Sequence, residues 1–97
     1  MIQTFATGGT RDIFDGTDSK AARRTCPQSL WKVARRKLDQ LNQAERLGDL
    51  RAPPKNRLEK LSKERTGQHS VRINNQYRVC FTWTDAGPEN VEIVDYH

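Results

Sequence analysis

Cysteine is scarce in this chain. Cys26 and Cys80 are the only two, and they belong to no CxxC pair and no Cys/His cluster. That excludes a zinc-finger or zinc-ribbon framework, and no metal or other cofactor is expected. A single disulfide between them is the alternative to two reduced, buried thiols, and the thiols are the simpler reading for a cytosolic chain. Long apolar runs are missing too. Nothing approaches the roughly 20 apolar residues of a membrane span. The opening Met1-Ile2-Gln3-Thr4-Phe5 lacks the basic start and apolar stretch of a secretory signal. A cytoplasmic protein without a membrane partner is therefore expected. Repeats and low-complexity tracts are also lacking. Beyond Arg78 there is no Lys or Arg at all, while Asp85, Glu89, Glu92 and Asp95 follow.

Basic charge fills the rest. The 97 residues carry 17 Lys and Arg against 12 Asp and Glu, a formal net charge of +5. Residues 20–37 hold seven basic side chains and no acid, and residues 51–78 hold eight against Glu59 and Glu64. Either run alone is as readily a solvated face; two in so short a chain point to a polyanion or an acidic partner. With 34% hydrophobic residues, grouped periodically, the chain can still build one modest core. A single domain spanning residues 1–97 is expected.

Periodicity orders the elements. Residues 2–5 suit a short strand, Thr7-Gly8-Gly9 a turn, and Thr10 an N-cap for a short helix stopping at Gly16. Residues 18–24 extend that helix or form a loose turn. A longer helix starts near 25–27, with Pro27 in its first turn, and runs to about Asn42. Leu30, Val33, Ala34, Leu38 and Leu41 form its apolar stripe, leaving Lys32, Arg35 and Arg36 on a cationic face. Pro53-Pro54 makes residues 49–55 a connector. A strand over 57–61 and a turn over 64–67 come next. Alternating His69, Val71, Ile73 and then Tyr77, Val79, Phe81, Trp83 read as two strands. Residues 85–88 form a turn and 91–94 a last strand. The fold class is α+β: two N-terminal helices packed on a small antiparallel β-sheet.

The two alternating strands carry a register. Val71 and Ile73 must share the core face with Tyr77 and Val79, and directly opposed residues share a face. Ile73 opposite Tyr77 satisfies this with the three-residue connection Asn74-Asn75-Gln76, and Asn suits such loops. Arg72 then lies opposite Arg78. Two adjacent guanidinium groups need an anion near them. Either carboxylates of the acidic last strand supply it, or the pair clamps a phosphate.

The sequence ends in Asp95-Tyr96-His97. An imidazole of pKa ~6.5 exchanges protons near neutrality, Asp95 accepts a proton or orients that ring, and Tyr96 stacks or donates. With Arg72 and Arg78 these supply the base, the acid and the phosphate stabilisation that metal-free RNA cleavage needs. By chemistry alone a terminal His is more often an idle surface residue than a catalyst, and His69 is a packed or surface histidine. Arg35, Arg36, Arg57, Lys60, Lys63 and Arg65 are the candidate RNA-backbone contacts.

Five segments together resemble HigB-type toxins of the RelE/ParE superfamily, across essentially the whole chain. They are Gly9-Thr10-Arg11-Asp12-Ile13-Phe14, Asn56-Arg57-Leu58-Glu59-Lys60-Leu61, Gly67-Gln68-His69-Ser70-Val71-Arg72-Ile73-Asn74, Gln76-Tyr77-Arg78-Val79-Cys80-Phe81 and Val91-Glu92-Ile93-Val94-Asp95-Tyr96-His97. The resemblance implies a RelE-like fold and a ribosome-dependent endoribonuclease that cleaves mRNA in the decoding site. It implies as partners the 70S ribosome, mRNA and a cognate HigA-type helix-turn-helix antitoxin, with operator DNA reached only through the antitoxin. It assigns catalysis to Asp95, Tyr96, His97 and Arg78, with Arg72 beside them. Two departures stand out. Some relatives use a His and a Lys in the segment matching residues 58–63, where this chain has Glu59, Lys60, Ser62 and Lys63. A basic residue commonly precedes the glycine near the N-terminus, where this chain has Gly8. Because fold does not fix function, a ParE-like gyrase-binding toxin without RNA chemistry and a plain basic RNA- or ribosome-binding module are the competing readings.

Overall fold

Helix α1 (Gly8–Asp15) opens the helical layer of the computed structural model, which describes residues 1–96. Its N-cap is Thr7, whose hydroxyl accepts from the Thr10 N–H, rather than Thr10 itself. Thr10 is fully buried and its hydroxyl accepts instead from the Ile93 N–H at 3.1 Å, tying the helix to the sheet. Gly16 ends α1 in the left-handed region at φ 79°, where a Cβ would be strained. Residues 18–24 neither extend α1 nor form a loose turn: Ser19 caps a separate short helix, α2 (Lys20–Thr25). The two helices approach closely at Gly9, where a Cβ would collide with the Thr25 hydroxyl and the Ala21 carbonyl.

The longer amphipathic helix begins later than its Pro27 suggests. A 3-10 turn, Gln28–Leu30, intervenes, and α3 runs over Trp31–Gln43. Its Ala34, Leu38 and Leu41 are wholly buried, while Val33 is only half-buried. After α3 come two 3-10 turns, Leu47–Arg51 and Pro54–Asn56, on either side of Pro53.

Four antiparallel strands follow in the order β1-β2-β3-β4: Glu59–Lys60, His69–Arg72, Tyr77–Thr84 and Gly87–Asp95. The strand expected over 57–61 is thus two residues long, and the last strand starts earlier than expected, at Gly87. Phe5 makes a parallel bridge to Val91, so the N-terminal segment flanks β4. One core cluster forms between helices and sheet, with Ile13, Leu38 and Leu41 meeting Val71, Val79, Phe81, Val91 and Ile93. The two expected N-terminal helices are α1 and α3, and the α+β arrangement holds. No helix among the described residues is long and apolar enough to cross a membrane.

Candidate active site

Strand parity decides what meets on the sheet face away from the core. Val71 pairs with Val79 and Arg72 with Arg78, as the alternation required. The connecting turn is closed by Asn74, whose Oδ1 accepts from the Gln76 N–H at 2.9 Å and the Tyr77 N–H at 2.7 Å. Glu59 pairs with Ser70, and Arg78 with Val94. Because Ile93 belongs to the core, alternation along β4 sends Asp95 to the helix side with it and returns Tyr96 to the outer side.

The outer side holds a cleft of about 320 Å³ lined by Arg57, Glu59, Arg72, Asn74, Asn75, Arg78 and Tyr96. Arg78 is its anchor. Only 8% exposed, it donates from Nε to Ser70 Oγ at 2.7 Å and from Nη2 to the Arg57 carbonyl at 2.6 Å. Arg57 presents that carbonyl from a left-handed backbone, φ 45°. Nε and Nη2 of Arg78 make these bonds, and among the described residues Nη1 makes none. Among the described residues the ion-pair partner of Arg78 is Glu59, Oε1 3.9 Å from Nη2. The Tyr96 ring, 43% exposed, lies with its centroid 5.9 Å from the Arg78 guanidinium carbon. Arg72 donates to Asn75 Oδ1 at the rim.

Among the described residues, the acidic last strand sets no carboxylate directly opposite Arg78. Val94, not an acid, faces Arg78, and Glu92 sits further along the strand, where it reaches Arg65 at 3.5 Å. Arg65 and Lys63 line a second hollow with Ser62 and Glu64, and that hollow shares Tyr96 with the cleft.

The remaining candidate residues lie elsewhere. Lys60 points to the opposite side from Glu59 and lines a hollow with Leu58, Arg51 and His69. Burial, then the Lys60 charge, pushes the His69 imidazole below its ordinary value, and its Nδ1 has no hydrogen-bond partner among the described residues. Arg35 donates to the Ile13 carbonyl within the helical layer, and Arg36 is exposed on α3; neither borders the cleft. Asp95 does not join the cleft either. It pairs with Tyr77, accepts from Gln76 Nε2 at 3.0 Å, and helps to raise the Tyr77 pKa, second to burial. His97 lies outside the described residues. Glu59, Ser70, Asn74 and Asn75 join the site without having been singled out from the sequence. No group of three or more His, Cys, Asp or Glu among the described residues could hold a metal ion.

Comparison with known proteins narrows the field. A family model described as HigB-like toxin, the RelE-like toxin of the type II toxin–antitoxin system HigB, matches residues 4–97. Toxin HigB-1 of Vibrio cholerae serotype O1 is 44% identical over 62 residues, 64% of this chain. An uncharacterized protein of Haemophilus influenzae is 38% identical over 65 residues, 67% of this chain. The matched stretches span 65% and 64% of those two relatives' own lengths. Among solved structures, a chain of the YoeB–YefM complex from Staphylococcus aureus superposes with a TM-score of 0.61 at 16% identity, covering 100% of this chain and 98% of that one. At that identity the likeness is one of fold.

Proposed function

The chain belongs to the HigB family of RelE-like toxins of type II toxin–antitoxin systems, and from that premise we propose that it is a ribosome-dependent, metal-independent mRNA endoribonuclease that halts translation in the cytoplasm. The observation that carries the reading is the cleft: a buried guanidinium held by Ser70 and the Arg57 carbonyl, two further arginines and an exposed tyrosine around one concave surface.

RNA cleavage without a metal joins the 2′-oxygen to phosphorus while the bond from phosphorus to the 5′-oxygen breaks. A base takes the 2′-hydroxyl proton, an acid protonates the departing oxygen, and cations hold the charge building on the non-bridging oxygens. Arg78, fixed by Ser70 and Arg57 before any ligand arrives, performs the last task with Arg72 and Arg57 beside it. Tyr96 stacks on a base next to the phosphate. Glu59, within the cleft, is placed to accept the 2′-hydroxyl proton, and His97 is assigned the acid. Asp95 takes a different part from the one its sequence position suggests. On the helix side, bonded to Gln76 at the hairpin, it positions the end of β4 that carries Tyr96.

The ribosome supplies the mRNA in this reading, with Lys63 and Arg65 beside Tyr96 as backbone contacts and Arg35, Arg36 and Lys60 on other faces for ribosomal RNA. A HigA-type helix-turn-helix antitoxin silences the toxin and alone contacts operator DNA. The Staphylococcus aureus neighbour, solved as a YoeB–YefM complex, supports an antitoxin partner.

Translating ribosomes test this directly. With the protein added, reporter mRNA shortens; removing His97, or replacing Arg78 by Ala in a variant whose folded circular dichroism is retained, stops the shortening. Gyrase inhibition with intact mRNA would overturn the assignment in favour of a ParE-like toxin.

A further inference from the structure

We propose that the hollow on the helix side of β1 is a second anion site, separate from the cleft, in which Arg51, Lys60 and His69 take a single phosphate group. The inference rests on the function proposed above only for one source of that phosphate, the ribosomal RNA backbone; a free phosphomonoester is the other.

Alternation in the shortest strand builds both sites at once. β1 has two residues, and each pairs with a residue of β2: Glu59 with Ser70, and Lys60 with His69. Directly opposed residues share a face, and successive pairs take opposite faces. Glu59 lines the cleft, where Ser70 holds Arg78. Lys60 and His69 therefore take the other side. There the 3-10 turn Leu47–Arg51 meets them around a hollow of about 230 Å³.

The charge in that hollow has one sign. Arg51 and Lys60 are both exposed and belong to none of the ion pairs among the described residues. The acids nearest them in sequence are turned elsewhere. Glu59 is on the opposite face, and Asp49 Oδ2 accepts from the Glu45 and Arg46 N–H groups at 3.0 and 3.1 Å. Leu47 and Leu58, both packed against the core, supply apolar walls, beside which a cation attracts an anion more strongly than in open water. The His69 ring stacks on Phe81, and its Nδ1 is shielded from solvent without a hydrogen-bond partner among the described residues. That leaves Nε2 as the nitrogen a bound group can meet. The charged groups sharing the hollow with the ring are Arg51 and Lys60. Burial first, then Lys60, holds the imidazole below its ordinary value. An anion between the two cations offsets that charge, so the ring takes up a proton as the phosphate binds and donates to it.

Inorganic phosphate is the first probe, titrated into the whole protein at fixed pH and ionic strength while the His69 ring resonances are followed by NMR. We expect a saturable shift, and an imidazole pKa higher in phosphate than in chloride. The Arg51 side chain makes no hydrogen bond or ion pair with the described residues, so Arg51→Ala leaves the fold intact. It should weaken phosphate binding at least about fivefold, the effect of a charged hydrogen bond discounted for exposure. Lys32→Ala, the same loss of charge at an exposed position of α3, should leave the affinity unchanged. An unresponsive His69 ring, a response confined to the Arg78 and Tyr96 resonances of the cleft, or equal weakening by the two substitutions would overturn the inference. Cosedimentation with 70S ribosomes separates the sources. If Arg51→Ala weakens it, and inorganic phosphate competes with the wild-type protein, the site takes a ribosomal RNA phosphate. Cosedimentation equal to wild type assigns the site to a free phosphomonoester. Intact mRNA with phosphate still bound at His69 would sink the nuclease reading and leave this site standing.

Discussion

Arg78 shows what a single residue contributes and how much of it the sequence displays. The alternation of two strands was enough to set it opposite Arg72. Its burial, and its bonds to Ser70 and to the Arg57 carbonyl, depend on a loop whose path no periodicity reveals. Substituting Lys at this position keeps the charge but cannot span both partners, since an ammonium lacks the planar fork. We expect R78K to cut mRNA at least about a hundredfold more slowly, the scale of losing one preorganised donor; activity within a few-fold of wild type would show that charge alone suffices. His69 provides a second, independent test. Its folded pKa lies below the ordinary 6.5, from burial first and the Lys60 charge second. The unfolded chain then binds more protons than the folded one as pH falls through 6.5, so this group's contribution to stability is complete above that pH and declines beneath it. Chemical denaturation should show that decline between pH 7 and 5, and His69→Gln should flatten it.

Among the elements, the loop ahead of β1 was the least legible and does the most positioning. Only the resemblance picked out Asn56, and the structure supplies a physical reason for it. Asn56 is fully buried; its Nδ2 donates to Gln40 Oε1 and to the Leu50 and Ala52 carbonyls, and its Oδ1 accepts from Lys37 Nζ at 2.5 Å. One side chain thus ties the 3-10 turns to α3 and fixes where Arg57 begins. Asn56→Ala would leave a buried ammonium and two carbonyls without that partner, a cost of about 2–4 kcal/mol. Thermal melting should fall by on the order of 10 °C in a domain of this size, with cleavage reduced because the Arg57 carbonyl no longer holds Arg78. An unchanged melting point would show the network to be dispensable. Asp95 teaches the opposite lesson: its side of the sheet was readable, since Ile93 is a core residue and β4 alternates. Grouping the last three residues by adjacency hid that parity.

For the whole molecule, net charge pointed to a polyanion but not to a face. Counting basic residues along the chain merged Arg35, Arg36 and Lys60 with Arg57, Lys63 and Arg65, and folding separates them. The first two stay on the helical layer, and Lys60 alternates away from Glu59. The cleft and its neighbouring hollow collect Arg57, Arg72, Arg78, Lys63 and Arg65 around Tyr96. Salt dependence can distinguish a face from a total. Each phosphate neutralised in single-stranded RNA contributes a slope of about −0.7 to log K against log salt. A short 2′-O-methyl oligonucleotide, which cannot be cleaved, spans the cleft but not the far side of the molecule. Its affinity should weaken with salt at a slope near −2, the value about three phosphate contacts give. Arg72→Ala should make that slope shallower by about 0.7, whereas Arg36→Ala should leave slope and affinity unchanged. If Arg36→Ala reduces the slope as much as Arg72→Ala does, the oligonucleotide responds to the total charge of the chain, and the cleft is not where single-stranded RNA is held.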